Sequence, residues 1–227
     1  CFAHPDKHRV VVNIGGIANI CLLTPGTGPS PAGFDTGPGN TLLDAWCEKH
    51  TGNAYDNNGQ WAATGRVHEG LMTALLADSY FRLPPPKSTG REQFNLGWLE
   101  QQLGESASSQ FPAADIQASL SSLTAHTIHL GIQQACVRHQ LNPETDLEGI
   151  YLCGGGINNR HLFEQISALS PAPVHNTDQL GVPPQQVEAT AFAWLGQQAL
   201  EQQAVELYRT TGARHNNILG AVYRSSS

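Results

Sequence analysis

Short apolar runs punctuated by glycine set the rhythm of this chain. Arg9 to Ile14 (Arg-Val-Val-Val-Asn-Ile) is rich in β-branched residues and stops at Gly15-Gly16, after which Ile17 to Leu23 resumes the apolar pattern. Two such runs parted by a glycine pair predict a β-hairpin. Pro25 to Pro31 reads as a Pro/Gly/Ser loop and residues 33–40 as a tight turn. Asn40 is placed to cap a helix from about Thr41 to His50 that buries Leu42, Leu43, Ala45 and Trp46. Residues 51–60 carry polar turn chemistry and predict a surface loop.

A short helix follows over about His68 to Ala77. Pro84-Pro85-Pro86 cannot be helical and stiffens the approach to Lys87-Ser88-Thr89-Gly90-Arg91. Asn95 to Leu103 predicts another short helix, and Gly104 to Pro112 a loop. From Ala113 to His139, apolar residues recur mostly at three- and four-residue steps, which predicts the longest amphipathic helix. Gly149 to Cys153 reads as a buried strand ending in Gly154-Gly155-Gly156. Asn158 or Asn159 caps the next helix, to about Leu169; Val174 to Asn176 is a short strand. Pro183-Pro184 opens a last helix, Gln185 to Gln202, with Ala189, Phe192 and Leu195 on its buried side. Strands alternating with helices, and glycine at strand ends, argue an α/β architecture with ligands at the carboxyl edge of the sheet.

Composition narrows the class. The 227 residues are 40% hydrophobic and 14% charged, with a net charge of −7. Nothing there supplies the electrostatic footprint of a nucleic-acid or anionic-membrane binder, and no apolar stretch approaches a bilayer span. Cys1 to Val12 lacks the pattern of a signal peptide. Five widely spaced cysteines without Cys-x-x-Cys read as reduced thiols of a cytoplasmic protein. His126 and His129 lie three apart on the long helix without a third ligand, so no metal site is assigned. The chain begins at Cys1 and reaches a strand almost at once, which reads as a fragment of something longer.

Three glycine-rich segments carry the candidate chemistry. Gly-Phe-Asp-Thr-Gly-Pro-Gly-Asn (33–40) sets one carboxylate, Asp35, in a stretch stripped of bulk. Such a segment lets backbone N–H groups and an acid approach a polar ligand, although a tight loop with a solvated Asp has the same look. Gly15-Gly16 suits a phosphate cradle, but a hairpin needs such a pair too. Gly154-Gly155-Gly156 gives up roughly 1 kcal/mol per residue against alanine in regular structure. A flat ligand, or another backbone passing very close, compensates for that. Neither cluster matches the Gly-Lys-Ser/Thr phosphate loop or Gly-x-Gly-x-x-Gly.

Five motifs together resemble a known family. Asn-Ile-Gly-Gly-Ile-Ala-Asn (13–19), residues 33–40, Pro-Lys-Ser-Thr-Gly-Arg-Glu (86–92), Cys-Gly-Gly-Gly-Ile-Asn-Asn (153–159) and Val-Glu-Ala-Thr-Ala-Phe-Ala-Trp-Leu (187–195) look like the anhydro-N-acetylmuramic acid kinases. The resemblance runs in order from about Val10 to Tyr223. It implies an actin-like, ribonuclease H-like ATPase lobe, a mixed sheet flanked by helices, in a two-lobed kinase with ATP in the cleft. Residues 1–227 would form one C-terminal lobe, the first being largely absent. The implied reaction uses water to open the 1,6-anhydro ring while O6 takes the γ-phosphoryl group of ATP. The product is N-acetylmuramic acid 6-phosphate, an intermediate of peptidoglycan recycling in the bacterial cytoplasm.

The resemblance assigns roles as well. Asp35 is implied as general base toward the attacking water, Asn13, Gly15 and Gly16 as facing the ATP phosphates, and Gly154, Gly155, Gly156 and Asn158 as passing under the adenosine. Thr36, Gly37, Gly39 and Glu188 are implied to hold the sugar. Arg91 would meet the sugar carboxylate or a phosphate, for which a guanidinium fork is suited; a surface ion pair is its plain alternative, as solvent exposure is for Glu188. Magnesium is expected with ATP, without a dedicated carboxylate cage, and the resemblance admits a homodimer. One departure stands out. The family's first-lobe loop, Gly-x-x-Ser-Gly-Thr-Ser-x-Asp-Gly, does not occur here, so the stretch alone is expected to be inactive. Two other readings stay open: another carbohydrate kinase or a phosphatase of the same superfamily, and a non-catalytic domain that binds nucleotide or sugar.

Overall fold

A computed structural model describes residues 2–26, 32–104, 110–206 and 213–222. Parts of two expected loops, 27–31 and 105–109, lie outside these described residues, as do Cys1 and Tyr223. The strands are β1 (His8–Ile14), β2 (Ile17–Leu23), β3 (Ala32–Pro38), β4 (Leu147–Cys153) and β5 (Val174–Asn176). They form one sheet in the order β3-β2-β1-β4-β5. β1, β2 and β3 pair antiparallel as a meander, while β4 and β5 join parallel on the other side of β1.

Period-two alternation decides which face is covered. Val10, Val12, Ile14, Ala18, Ile20, Leu22, Ile150 and Leu152 are buried on one face. Helix α4 (Ala113–Arg138) lies against β2 and β3 there. α1 (Thr41–Thr51), α2 (Glu69–Leu76) and α5 (Arg160–Leu169) flank α4, and α3 (Leu96–Leu103) packs on α1 and α2. α4 is therefore central, not peripheral. Besides its apolar residues it buries Gln117, Ser119, Ser121, Thr124 and Thr127, and its hydroxyls find partners, as buried polar groups require. Thr124 Oγ1 donates to the carbonyls of Gly39 (2.9 Å) and Pro38 (3.1 Å), which fixes the end of β3 against the helix. Trp46 of α1 is buried, with its indole N–H on Ala113 O at 2.9 Å.

Three expectations need correction. Residues 33–38 are not a turn but most of β3, a strand that the glycines disguise; pairing with β2 and burial of Phe34 outweigh their weak strand propensity. Asn40 makes no cap hydrogen bond; its Nδ2 instead donates to Ile14 O at 3.3 Å. The 51–60 segment is the exposed loop its composition predicts, pinned at one point where Asp56 is buried and accepts from the N–H groups of Trp61 (2.9 Å) and Ala62 (2.8 Å). The last helix, α6 (Val187–Leu200), does not bury Ala189 or Phe192. Phe192 is 69% and Trp194 48% exposed, because nothing among the described residues packs on that side. Of the two asparagines offered as a cap for α5, Asn159 takes the place: its Oδ1 accepts from Leu162 N at 3.0 Å.

Candidate functional site

The face of the sheet away from α4 carries a polar row. Register pairs Asp35 with Asn19, Asn19 with Asn13, and Asn13 with Cys153. Directly opposed residues share a face. One carboxylate, two carboxamides and a thiol thus line up across four strands near the carboxyl ends of β1 and β4. Thr36 is skipped by the irregular register between β2 and β3. It turns to the opposite, buried side at 2% exposure, its hydroxyl on Ala18 O at 3.1 Å.

A cleft of about 410 Å³ opens beside this row, lined by Asn13, Gly15, Asn19, Cys153, Gly154, Gly155 and Glu188 among others. Glu188 reaches it from the first turn of α6. The start of α6 is tied to the glycine loop: Gly154 N donates to Pro184 O (3.2 Å) and Gln185 Nε2 to Gly154 O (3.3 Å). A second cleft of about 480 Å³ lies on the other side of that loop, lined by Asn40, Asp44, Tyr55 to Asn58, Gly155, Gly156 and Asn158. Gly155 lines both. The structure therefore gathers Asn13, Gly15, the triple glycine, Asn158 and Glu188 around one loop. Asp35 stands at the β3 end of the row, half-buried, outside the lining of either cleft.

What a side chain would meet separates the glycines by cause. A Cβ on Gly154, whose φ is +82°, would lie 2.3 Å from Asn13 Oδ1, and one on Gly156 2.3 Å from Ile14 Cγ2. A Cβ on Gly39 would lie 2.4 Å from Gly15 O, and one on Gly37 (φ +150°) 2.8 Å from the Phe81 ring. Those four are glycine because protein packs on them. Gly15 and Gly155 differ. The nearest atoms to a Cβ there are 3.5 and 4.0 Å away, ordinary contact or none. The packing of the chain on itself does not explain them, and both face the 410 Å³ cleft.

The hairpin is braced from behind. Gly15 O accepts from Asn40 N at 2.8 Å; Gly16 O accepts from Gly39 N at 2.9 Å and Thr41 N at 3.0 Å. Arg91 lies over it: a Cβ on Gly16 would sit 2.8 Å from the guanidinium Nε. Asp44, in the first turn of α1, has its carboxyl pushed up to about 6 by burial, with Arg91 pulling it partly back. Burial, with Glu188 adding to it, pushes the Cys153 thiol up to about 11, so that sulfur stays a neutral lining group and not a nucleophile.

Asp35 is held from the segment after the prolines. Its Oδ2 accepts from Ser88 Oγ at 2.7 Å and Thr89 N at 3.0 Å, and its backbone N–H donates to Lys87 O at 3.1 Å. Tyr80 donates its hydroxyl to Asp35 O at 2.7 Å; burial and then the Asp35 charge hold that phenol far above its ordinary value, as a neutral donor. Lys87 anchors the segment, its Nζ on the carbonyls of Tyr80 (3.2 Å) and Phe81 (3.4 Å).

Asn19, Asn40, Asp44, Ser88 and the Tyr55–Asn58 stretch belong to this site, yet spacing alone did not single them out. Asn19 was within reach, because a hairpin turning at residues 15–16 pairs it with Asn13. The others depend on long-range docking.

The model of the family described as anhydro-N-acetylmuramic acid kinase matches residues 1–225. Proteins of that name are similar to this chain in Coxiella burnetii (47% identity over 220 residues, 96% of this chain) and Bordetella petrii (47% over 224 residues, 98%). A third, from Burkholderia cenocepacia, is 44% identical over 227 residues. In each the match covers 56% of the relative, so the chain spans about half the length of the curated relatives it matches. Among solved structures, the activator of the 2-hydroxyisocaproyl-CoA dehydratase from Clostridium difficile, with bound ADPNP, superposes at a TM-score of 0.50 and 14% identity. That alignment covers 90% of this chain and 67% of the other. This likeness bears on fold alone and agrees with the expected actin-like ATPase lobe. On sequence, the chain belongs to the anhydro-N-acetylmuramic acid kinase family.

Proposed function

We propose that this chain is the ATP- and sugar-facing lobe of a kinase that opens 1,6-anhydro-N-acetylmuramic acid with water and phosphorylates O6. The product is N-acetylmuramic acid 6-phosphate and the setting peptidoglycan recycling; use of ATP brings a cytoplasmic location with it. One observation carries the reading: at Gly15 and Gly155 a side chain would meet no close protein contact, and both border one cleft. Clearance for a ligand accounts for that. The family match and the ADPNP named with the structural neighbour support ATP as that ligand.

In this reading the hairpin at Asn13, Gly15 and Gly16 meets the phosphates, with the Arg91 guanidinium beside it supplying positive charge. Gly155 and Asn158 meet the nucleoside across the loop that divides the two clefts. Asp35 takes the proton of the attacking water. The water oxygen bonds to the anomeric carbon as its bond to O6 breaks, and O6 receives the γ-phosphoryl group. Glu188 binds the sugar from α6. Thr36, Gly37 and Gly39 are buried, so they serve it by shaping the backbone around Asp35. Magnesium would enter with the nucleotide and keep most of its ligands from phosphate and water. A homodimer is part of the proposal for the whole protein only.

For the 227 residues alone we propose binding without appreciable turnover, since the family's Ser-Gly-Thr-Ser loop is not in this sequence. The test is ADP release by a protein of full family length carrying this chain, given the anhydro sugar or unmodified N-acetylmuramic acid. The reading expects release with the anhydro sugar. Preference for the unmodified sugar would point to a different carbohydrate kinase.

A further inference from the structure

We propose that Ser88 is a positioning residue for Asp35: its hydroxyl turns the carboxylate so that one oxygen is held and the other is presented to water. The inference rests on the reading of Asp35 as general base, and it concerns a residue that the motif resemblance leaves without a role.

The geometry starts from strand order. β3 is the edge of the sheet, so half of its backbone groups have no neighbouring strand. The segment after the triple proline supplies partners there, through Asp35 N on Lys87 O at 3.1 Å. That contact brings Ser88 and Thr89 over the Asp35 side chain. Both donate to the same oxygen, Oδ2, at 2.7 and 3.0 Å. Among the described residues nothing donates to Oδ1. Two donors on one oxygen fix rotation of the carboxylate, and hydrogen bonds to a charged acceptor are the stronger class. A carboxylate that must take a proton from a placed water needs this arrangement, since a small misplacement at a reacting group is costly.

The two donors are not equivalent. Thr89 contributes a backbone N–H that survives any side-chain change short of proline, whereas Ser88 contributes a removable hydroxyl. The segment does not depend on that hydroxyl for its place. Lys87 holds it to Tyr80 and Phe81, its ammonium 4.8 Å over the Tyr80 ring, and Thr89 Oγ1 donates to Gln93 Oε1 at 2.8 Å. Ser88 itself is exposed, so removing its hydroxyl leaves no cavity.

The experiment compares Ser88→Ala, Ser88→Thr, Asp35→Asn and the Ser88→Ala/Asp35→Asn pair in a protein of full family length, with melting temperatures as a check on folding. Ser88→Ala should lower kcat about tenfold, as loss of a hydrogen bond to a charged group does, with KM for ATP within about twofold. Ser88→Thr, which keeps the hydroxyl, should restore most of the rate. In the Asp35→Asn background Ser88→Ala should cost nothing more, because residues acting as a unit are not additive. An unchanged kcat in Ser88→Ala, failure of Thr to rescue, or an equal loss in both backgrounds would overturn the proposal. If Asp35→Asn itself turned over normally, the reading of Asp35 would fall instead, and the two failures are thereby told apart.

Discussion

Replacing Gly155 and Gly154 by alanine, one at a time, separates glycines kept for a ligand from those kept for the fold. At Gly155 the nearest atom to a new Cβ is 4.0 Å away and the backbone is not left-handed. Alanine should be accommodated and, by restricting the unfolded chain, stabilise by about 0.4–1 kcal/mol. In a chain of this size that is a rise in Tm of about 1–4 °C. At Gly154 the backbone has φ +82° and ψ 179°, a region open essentially to glycine, and the Cβ would lie 2.3 Å from Asn13 Oδ1. Strain of about 1–3 kcal/mol should lower Tm by about 2–12 °C. Calorimetry on the 227-residue chain checks both shifts. The ligand readout is titration of a full-length protein with a non-hydrolysable ATP analogue. Gly155→Ala should bind it at least about tenfold more weakly, since a methyl group in a closely contacted site displaces the ligand or the loop. A stable Gly155→Ala protein with unchanged nucleotide affinity would refute the argument that the open glycines mark a ligand.

Three further outcomes follow from the same contacts. Asp35→Asn should reduce kcat by about 10²–10⁴-fold with ATP affinity little changed, measured by turnover beside calorimetric titration. Gly16→Ala pushes a Cβ into the Arg91 guanidinium; its effect on KM for ATP should match that of Arg91→Ala, with the double variant no worse than either. The Asp44 carboxyl, pushed up to about 6 by burial, sits above its unfolded value. The unfolded chain therefore loses that proton first, and stability falls as pH rises from about 4 to about 6. Asp44→Asn should be more stable than the parent at pH 7 by about 1 kcal/mol, a figure discounted because the group is half exposed. The gap should close below pH 4 in urea melts.

The hairpin, the long helix and the parallel strand before the triple glycine were legible because period and turn chemistry agree at each of them. β3 was not. Its glycines argue against a strand, and only the partner β2 and the buried Phe34 make it one. The 51–60 segment is exposed as its polar composition suggests, and what composition does not show is that Asp56 is buried by holding the N–H groups of the turn that follows. α6 is where apolar composition misled. Phe192 and Trp194 sit in an apolar run and stand exposed, since burial needs a partner and none of the described residues supplies one.

At the site, the motifs gave the glycines and the acid but not their causes. Gly154, Gly37 and Gly39 answer to protein contacts, whereas Gly15 and Gly155 answer to open space. The pairing of Asp35 with Asn19, and the clasp of Ser88 and Thr89 on its carboxylate, join residues too far apart in sequence for spacing to connect.

The most direct test is mass spectrometry of the sugar product made by a full-length protein carrying this chain, supplied with ATP and 1,6-anhydro-N-acetylmuramic acid. The account expects a product heavier than the substrate by one water and one phosphoryl group together. A product with the phosphoryl group but an intact anhydro ring, or a sugar recovered unchanged, would contradict it.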